Sequence, residues 1–200
     1  DGEVFFTVAD CTGHGVPGAF MSMIGNSLLN ENIIENKIKT PAVILDNMRE
    51  NIINSLNQKN PEKANKDGMD MALCKFNKNT MTVEFAGANN PLVHIRNGEI
   101  NHIKANYQPV SISAGAKKPF TNHEIKVKKG DMLFIYSDGF ADQFGGPKGK
   151  KYMSRKFRDY LASISSFSAK EQEKKLQTEF NRWKGSQEQI DDVCIMGVKI

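Results

Sequence analysis

EVFFTVADCTGHGVPGAF, residues 3–20, admits two readings, and the choice between them decides the fold. Glu3 to Ala9 is a short apolar run with Val and Phe, a buried strand that ends at Asp10. Gly13, Gly15 and Gly18 follow at the spacing of a dinucleotide-binding turn between a strand and a helix. The context rejects that turn. Pro17 to about Asn32 carries Phe20, Met23, Ile24 and Leu28 at helical spacing, a core-facing helix with Pro17 in its first turn. The element after it is a second helix instead of a parallel strand, and Asp10 would oppose a pyrophosphate. The glycines instead let the backbone fold tightly beside Asp10, offering carbonyls to a cation and N–H groups to an anion.

The second helix opens at Thr40-Pro41 and runs to about Leu56, with Thr40 as its cap and Val43, Ile44, Met48 and Ile52 as its stripe. Asn57 to Gly68 reads as a polar loop. Short strands then follow over 69–76, 81–86, 92–95, 100–103, 123–127 and 132–136, and Asn97-Gly98 marks a tight hairpin. Helices over about 152–164 and 169–183 precede a last strand, 193–199. Strand runs punctuated by paired helices argue for an α+β layered fold, helices packed on a β-sandwich.

Composition narrows the class. A chain of 200 residues with 39% hydrophobic and 25% charged content suits one domain with its own core. Cys11, Cys74 and Cys194 are odd in number, far apart and set in apolar stretches, which points away from disulfides or a zinc cluster and toward a reducing, cytoplasmic setting. No apolar run approaches the roughly 20 residues of a membrane span, so no membrane contact is expected of this segment. The net charge of +4 is modest, with lysines bunched at Lys117-Lys118, Lys126 to Lys129 and Lys148 to Lys151, and Arg155 and Lys156 close behind. Aromatics at 8% are too few and too apolar in setting for a nucleic-acid surface, whereas a phosphorylated protein partner suits these patches.

Three acidic positions share one design. Asp10 follows FFTVA, Asp138 follows LFIYS, and Asp191-Asp192 precedes VCIMGV, each where an apolar strand meets a loop. Carboxylates there are costly to desolvate unless paired, hydrogen-bonded or metal-bound. An oxygen-only ligand set with no His or Cys partner points to hard ions such as Mg²⁺ or Mn²⁺. The bland alternative is that each aspartate caps a turn, as Asp138-Gly139 is suited to do.

ADCTGHGVPGAFMSM, DGMDMALCKF, FAGANNPLVHIRNGE, YSDGFADQFGG and QIDDVCIMGVKI, in this order, closely resemble the SpoIIE-like branch of the metal-dependent (PPM) protein phosphatases. The resemblance implies an αββα sandwich, two bridging Mg²⁺ or Mn²⁺ ions, and phosphoserine or phosphothreonine proteins as substrates. It implies that Asp10 bridges both ions, that the Cys11 backbone carbonyl is a neighbouring ligand, and that Asp138 and Asp191 are further ligands, with Asp192 the weaker choice for the last and one acidic ligand expected on a strand before Asp1. These carboxylates are expected to converge. Hydrolysis would be a single in-line attack by water, so Ser137 is read as a strand-end hydroxyl rather than a nucleophile.

Other assignments rest on less. Asp67 and Asp70 lie where some relatives hold a third metal, with a turn at Asp67-Gly68 the alternative. Gly13, Gly15 and Lys148 are candidates for phosphate or substrate, the last within a mobile, basic flap over Gln143 to Lys151. Where animal-type members carry a histidine two positions after the bridging aspartate, this chain has Thr12, and His14 is the candidate to touch the phosphate or organise the loop. Asn89, Asn90 and Pro91 resemble a family loop near the active site or else form a hairpin connection. His94, His102 and His123 are expected to face solvent, and Trp183 to anchor the last helix. The family's first strand would precede Asp1, so the chain reads as residues 1–200 of one phosphatase domain, N-terminally truncated, with a sensory region expected upstream in the parent. The competing function is a catalytically impaired module that binds a phosphoprotein without turnover.

Overall fold

The computed structural model describes residues 2–58, 67–113 and 118–200. In chain order the elements are β1 (Glu3–Cys11), α1 (Val16–Asn30), a π-helical turn (Glu31–Glu35), α2 (Pro41–Ser55), β2 (Met69–Asn77), β3 (Thr82–Ala88), β4 (Leu92–Arg96), β5 (Glu99–Ile103) and β6 (His123–Lys126). There follow β7 (Met132–Tyr136), the short α3 (Gly139–Asp142), β8 (Phe144–Gly145), β9 (Lys150–Lys151), α4 (Ser154–Ile164), α5 (Ala169–Lys184) and β10 (Ile195–Lys199). This is the expected α+β class, with two antiparallel four-stranded sheets. The chain forms two compact units, one of residues 1–91 and 104–127, the other of 92–103 and 128–200.

The first unit holds the sheet ordered β1-β2-β3-β6. Ile44 and Leu45, then Met48 and Ile52 one turn apart on α2, are fully buried in one cluster with Met71 and Leu73 of β2 and Ala86 of β3. Each such side chain contributes about 1.5–3 kcal/mol on burial. Val43, expected in that stripe, is exposed, and the Thr40 hydroxyl makes no capping bond. α1 departs further from its expected face. Phe20 and Met23 are 60% and 67% exposed, while Met21 and Gly25 are buried and Ile24 and Leu28 pack against the cluster. The cause is Gly25: with no Cβ there, the Met69 side chain comes within contact of the helix, and that face turns inward. β1 is an edge strand with Val4 and Ala9 exposed, rather than buried throughout. β6 closes the opposite edge.

The second unit holds the sheet ordered β10-β7-β4-β5. Its core joins Val93, Ile95, Phe134 and Tyr136 to Phe140, Tyr152, Phe157 and Leu161. Phe140 stacks on Phe157 at 4.4 Å between centroids, and Tyr152 meets Phe140 edge-on at 5.1 Å. The two-residue Asn97-Gly98 hairpin joins β4 to β5 as expected. β4 is an inner strand, which explains a correction: His94 is 5% exposed rather than solvent-facing, and its Nε2 lies 2.8 Å from Asp131 Oδ2. His102 and His123 are half-buried, the latter stacked on Phe85. β3 and β4 belong to different sheets, so the Asn89-Asn90-Pro91 segment is a crossover and not a hairpin. α5 begins with a capping box in which Ser168 and Glu171 satisfy each other's backbone N–H groups.

Candidate metal centre

In the first unit, Asp10 is the penultimate residue of β1 and stands opposite Asp70 in the antiparallel ladder, with Cys11 opposite Met69. Like charges placed directly opposite each other on neighbouring strands repel. Asp70 has a partial remedy, since its Oδ1 accepts a 2.7 Å hydrogen bond from Asn89 Nδ2. Burial pushes its carboxyl above the ordinary value while the Asn89 bond pulls the other way. Asn89 is itself fixed, in the left-handed region at φ 58° and with its N–H donating to the Asn106 carbonyl at 2.9 Å.

Thr12, which stands where a histidine was looked for, ties the start of the glycine loop to the start of β2. Its backbone N–H and hydroxyl both donate to the Gly68 carbonyl, at 3.0 and 3.2 Å, and its hydroxyl accepts the Gly68 N–H at 2.8 Å. Asp67 is therefore held next to the Asp10 to Thr12 segment. Its own carbonyl accepts a 2.6 Å bond from Gln58 Nε2. Gly15 adopts φ 64°, which favours glycine, caps α1 and accepts the Ala19 N–H at 3.0 Å. Gly13 and His14 are exposed, and His14 makes no hydrogen bond among the described residues. The half-buried Cys11 thiol is pushed up by burial and accepts a 3.6 Å bond from Ser22.

In the second unit, Asp138 follows the end of β7 and opens α3 without a side-chain cap bond. Asp138 and Asp191 are 53 positions apart in sequence (191 − 138), yet each offers a carboxylate oxygen within 4.8 Å of the other's, on exposed backbone. Ser137 explains this proximity. Its buried hydroxyl donates to the Asp192 carbonyl at 2.9 Å and accepts the Cys194 N–H at 3.0 Å, and its backbone N–H bonds the Cys194 carbonyl at 2.9 Å. Asp191 Oδ1 in turn accepts the Asp192 N–H at 2.8 Å, which sets the carboxylate's direction. At Gly139 any Cβ would run into the Asp192 carbonyl. Glycine after Asp138 is thus a requirement of this approach.

Two carboxylates this close repel unless a cation or proton lies between them, and an oxygen-only donor pair with room for water suits a hard divalent ion. The donor set therefore fits the ions implied above. Sequence reasoning singles out Asp138 and Asp191, whose carboxylates the structure brings within 4.8 Å. It misses the clamps of Thr12 on Gly68 and of Ser137 on Asp192 and Cys194, because a lone hydroxyl gives no sign of a partner more than 50 positions away.

The family model of stage II sporulation protein E (SpoIIE) matches residues 1–200. The SiaA-PP2C domain of Pseudomonas aeruginosa superposes with a TM-score of 0.83 at 25% identity, over 100% of this chain and 80% of that one. The PP2C phosphatase domain of Bacillus subtilis SpoIIE, solved with a fragment of its regulatory domain, gives 0.72 at 16% identity over 99% and 58%. RsbX solved in complex with magnesium gives 0.60 at 16% identity over 98% and 86%. No curated protein matches the sequence. No helix among the described residues is long and apolar enough to cross a membrane. The chain belongs to the SpoIIE family and carries the fold of PP2C-type phosphatase domains.

Proposed function

We propose that residues 1–200 act as one catalytic domain that hydrolyses phosphoserine or phosphothreonine in a signalling phosphoprotein, with divalent Mg²⁺ or Mn²⁺ held by Asp10, Asp138 and Asp191. The observation that carries the reading is the Asp138–Asp191 pair, two carboxylates within 4.8 Å locked together by Ser137. Magnesium in the RsbX structure supports the choice of ion. Bound cations would supply charge neutralisation and a water of lowered pKa for in-line attack at phosphorus.

The chain's own residues do the rest. Asp10 and the Cys11 carbonyl add oxygen ligands from the end of β1, and Asp70, held by Asn89, keeps a further carboxylate beside Asp10. The left-handed turn at Gly13 and Gly15 presents backbone N–H groups to phosphate oxygens ahead of α1. His14, exposed on that turn, would give a proton to the leaving alkoxide. Three cysteines free of disulfides suit work in a reducing compartment.

The test is hydrolysis of p-nitrophenyl phosphate and of a phosphothreonine peptide with Mn²⁺ and with chelator. Turnover should require Mn²⁺, and Asp138→Asn should lower it at least about a hundredfold with the circular-dichroism spectrum unchanged. Mn²⁺-independent turnover, or a fully active variant, would overturn the reading. Tight peptide binding with no turnover would favour the impaired, phosphoprotein-binding alternative.

A further inference from the structure

The segment expected to be a mobile flap, Gln143 to Lys151, is a pinned hairpin. Gln143 is fully buried, and its Nε2 donates to the carbonyls of Phe144 at 2.9 Å and Glu188 at 2.8 Å. Its own carbonyl accepts Trp183 Nε1 at 3.0 Å and the Tyr152 N–H at 3.0 Å. The Gly146 N–H bonds the Trp183 carbonyl at 2.8 Å, and any Cβ at Gly145 would collide with that carbonyl. β8 and β9 then pair Phe144 with Lys151 and Gly145 with Lys150. The arm is thus fastened to the two stretches that carry the carboxylate pair, through α3 on the Asp138 side and through Glu188 on the Asp191 side.

Its charges are one-sided. Residues 143–158 hold Lys148, Lys150, Lys151, Arg155, Lys156 and Arg158 and no acidic side chain. Three of these are engaged locally: Lys151 pairs with Asp142 at 2.7 Å, Lys156 sits over the Trp183 ring at 3.6 Å, and Arg158 acts on the Tyr136 hydroxyl. The Lys151 ammonium is also favoured by the charge of Asp138, so the hairpin base lies within electrostatic reach of the carboxylate pair. Lys148, Lys150 and Arg155 are exposed and have no ion pair among the described residues. Phe144 and Met153, 40% and 61% exposed, add apolar surface between them. Three uncommitted cations on a rigid base attract an anionic chain, and rigidity limits the entropy lost on binding it.

We propose that this hairpin selects the substrate by gripping acidic residues that flank the phosphorylated serine or threonine, with Lys148, Lys150 and Arg155 as the contacts. The inference rests on the phosphatase reading for turnover, while the grip itself is a binding property. The test compares the chain with its K148E/K150E/R155E variant on two phosphothreonine peptides of equal length, one flanked by three aspartates and one by three serines. At low salt the acidic peptide should show kcat/KM about tenfold higher, and the ratio should fall to about one in the variant and at 300 mM salt. Equal kcat/KM for the two peptides, or a ratio untouched by the variant, would overturn the proposal. If neither peptide nor p-nitrophenyl phosphate is turned over, the phosphatase reading has failed. Fluorescence anisotropy of the labelled peptides then decides the grip alone: tighter acidic binding lost in the variant sustains it, and equal binding sinks it.

Discussion

Asp131 gathers four hydrogen-bonding contacts, and it lies outside the proposed centre. At 2% exposure it accepts from Arg96 Nε at 2.9 Å, Arg96 Nη2 at 2.7 Å and the Lys128 N–H at 2.8 Å, and it faces His94 at 2.8 Å. Burial alone would raise its carboxyl, but those bonds outweigh it and hold the group well below the ordinary carboxylate range. A depressed pKa stabilises the fold above the unfolded value of about 3.9 and loses that contribution as pH falls toward the folded one. Asp131→Asn should therefore cost about 3 kcal/mol at pH 7, and the gap from the unsubstituted chain should narrow steadily below about pH 4. Urea unfolding at several pH values checks this. A gap independent of pH would mean the charge is immaterial. The pair was invisible in sequence, since His94 alternates with apolar neighbours just as a solvent-facing residue would.

Elements show the same division between what a sequence carries and what packing adds. The strands of both sheets and the helices α2, α4 and α5 follow from period and turn residues that act within a few positions. The inward face of α1 does not, because it is set by the Met69 side chain reaching into Gly25 from another element. The Asp138–Asp191 approach is half legible: an aspartate at each strand boundary can be read, whereas the Ser137 clamp cannot. Gly139 links the two kinds of information, as a turn glycine whose real constraint is the Asp192 carbonyl. Gly139→Ala should push the 191–194 segment away, weakening Mn²⁺ binding by about tenfold or more while leaving α4 and α5 intact. Isothermal calorimetry reads the affinity, and hydrogen exchange of α4 and α5 reads the fold. Unchanged affinity would show that the two carboxylates act independently.

For the molecule as a whole, the cation and the fold are linked. An ion that binds only the folded chain adds about 2.7 kcal/mol at a hundred times its Kd, which for a chain of this size raises Tm by about 5–10 °C. Without it, the Asp138 and Asp191 charges oppose each other within 4.8 Å. Scanning fluorimetry should thus show a Tm rise with Mn²⁺ and a fall with chelator. Asp191→Asn should start higher than the unsubstituted chain in chelator and respond less to Mn²⁺. An identical Mn²⁺ response in the variant would remove Asp191 from the ligand set.

The two units are interleaved along the chain, residues 92–103 of one lying between the two stretches of the other. During ribosomal synthesis the β4–β5 hairpin therefore emerges before any strand it will pair with outside itself, since β7 begins only at Met132. At about 5–20 residues per second, the buried edge of Leu92, Val93 and Ile95 waits a few seconds in the exit region without its neighbour. The first unit waits as well, for β6. Stopping translation at residue 127 would complete the first unit only, and a nascent chain arrested at residue 103 or 127 would carry an orphan apolar hairpin and become a client for chaperones.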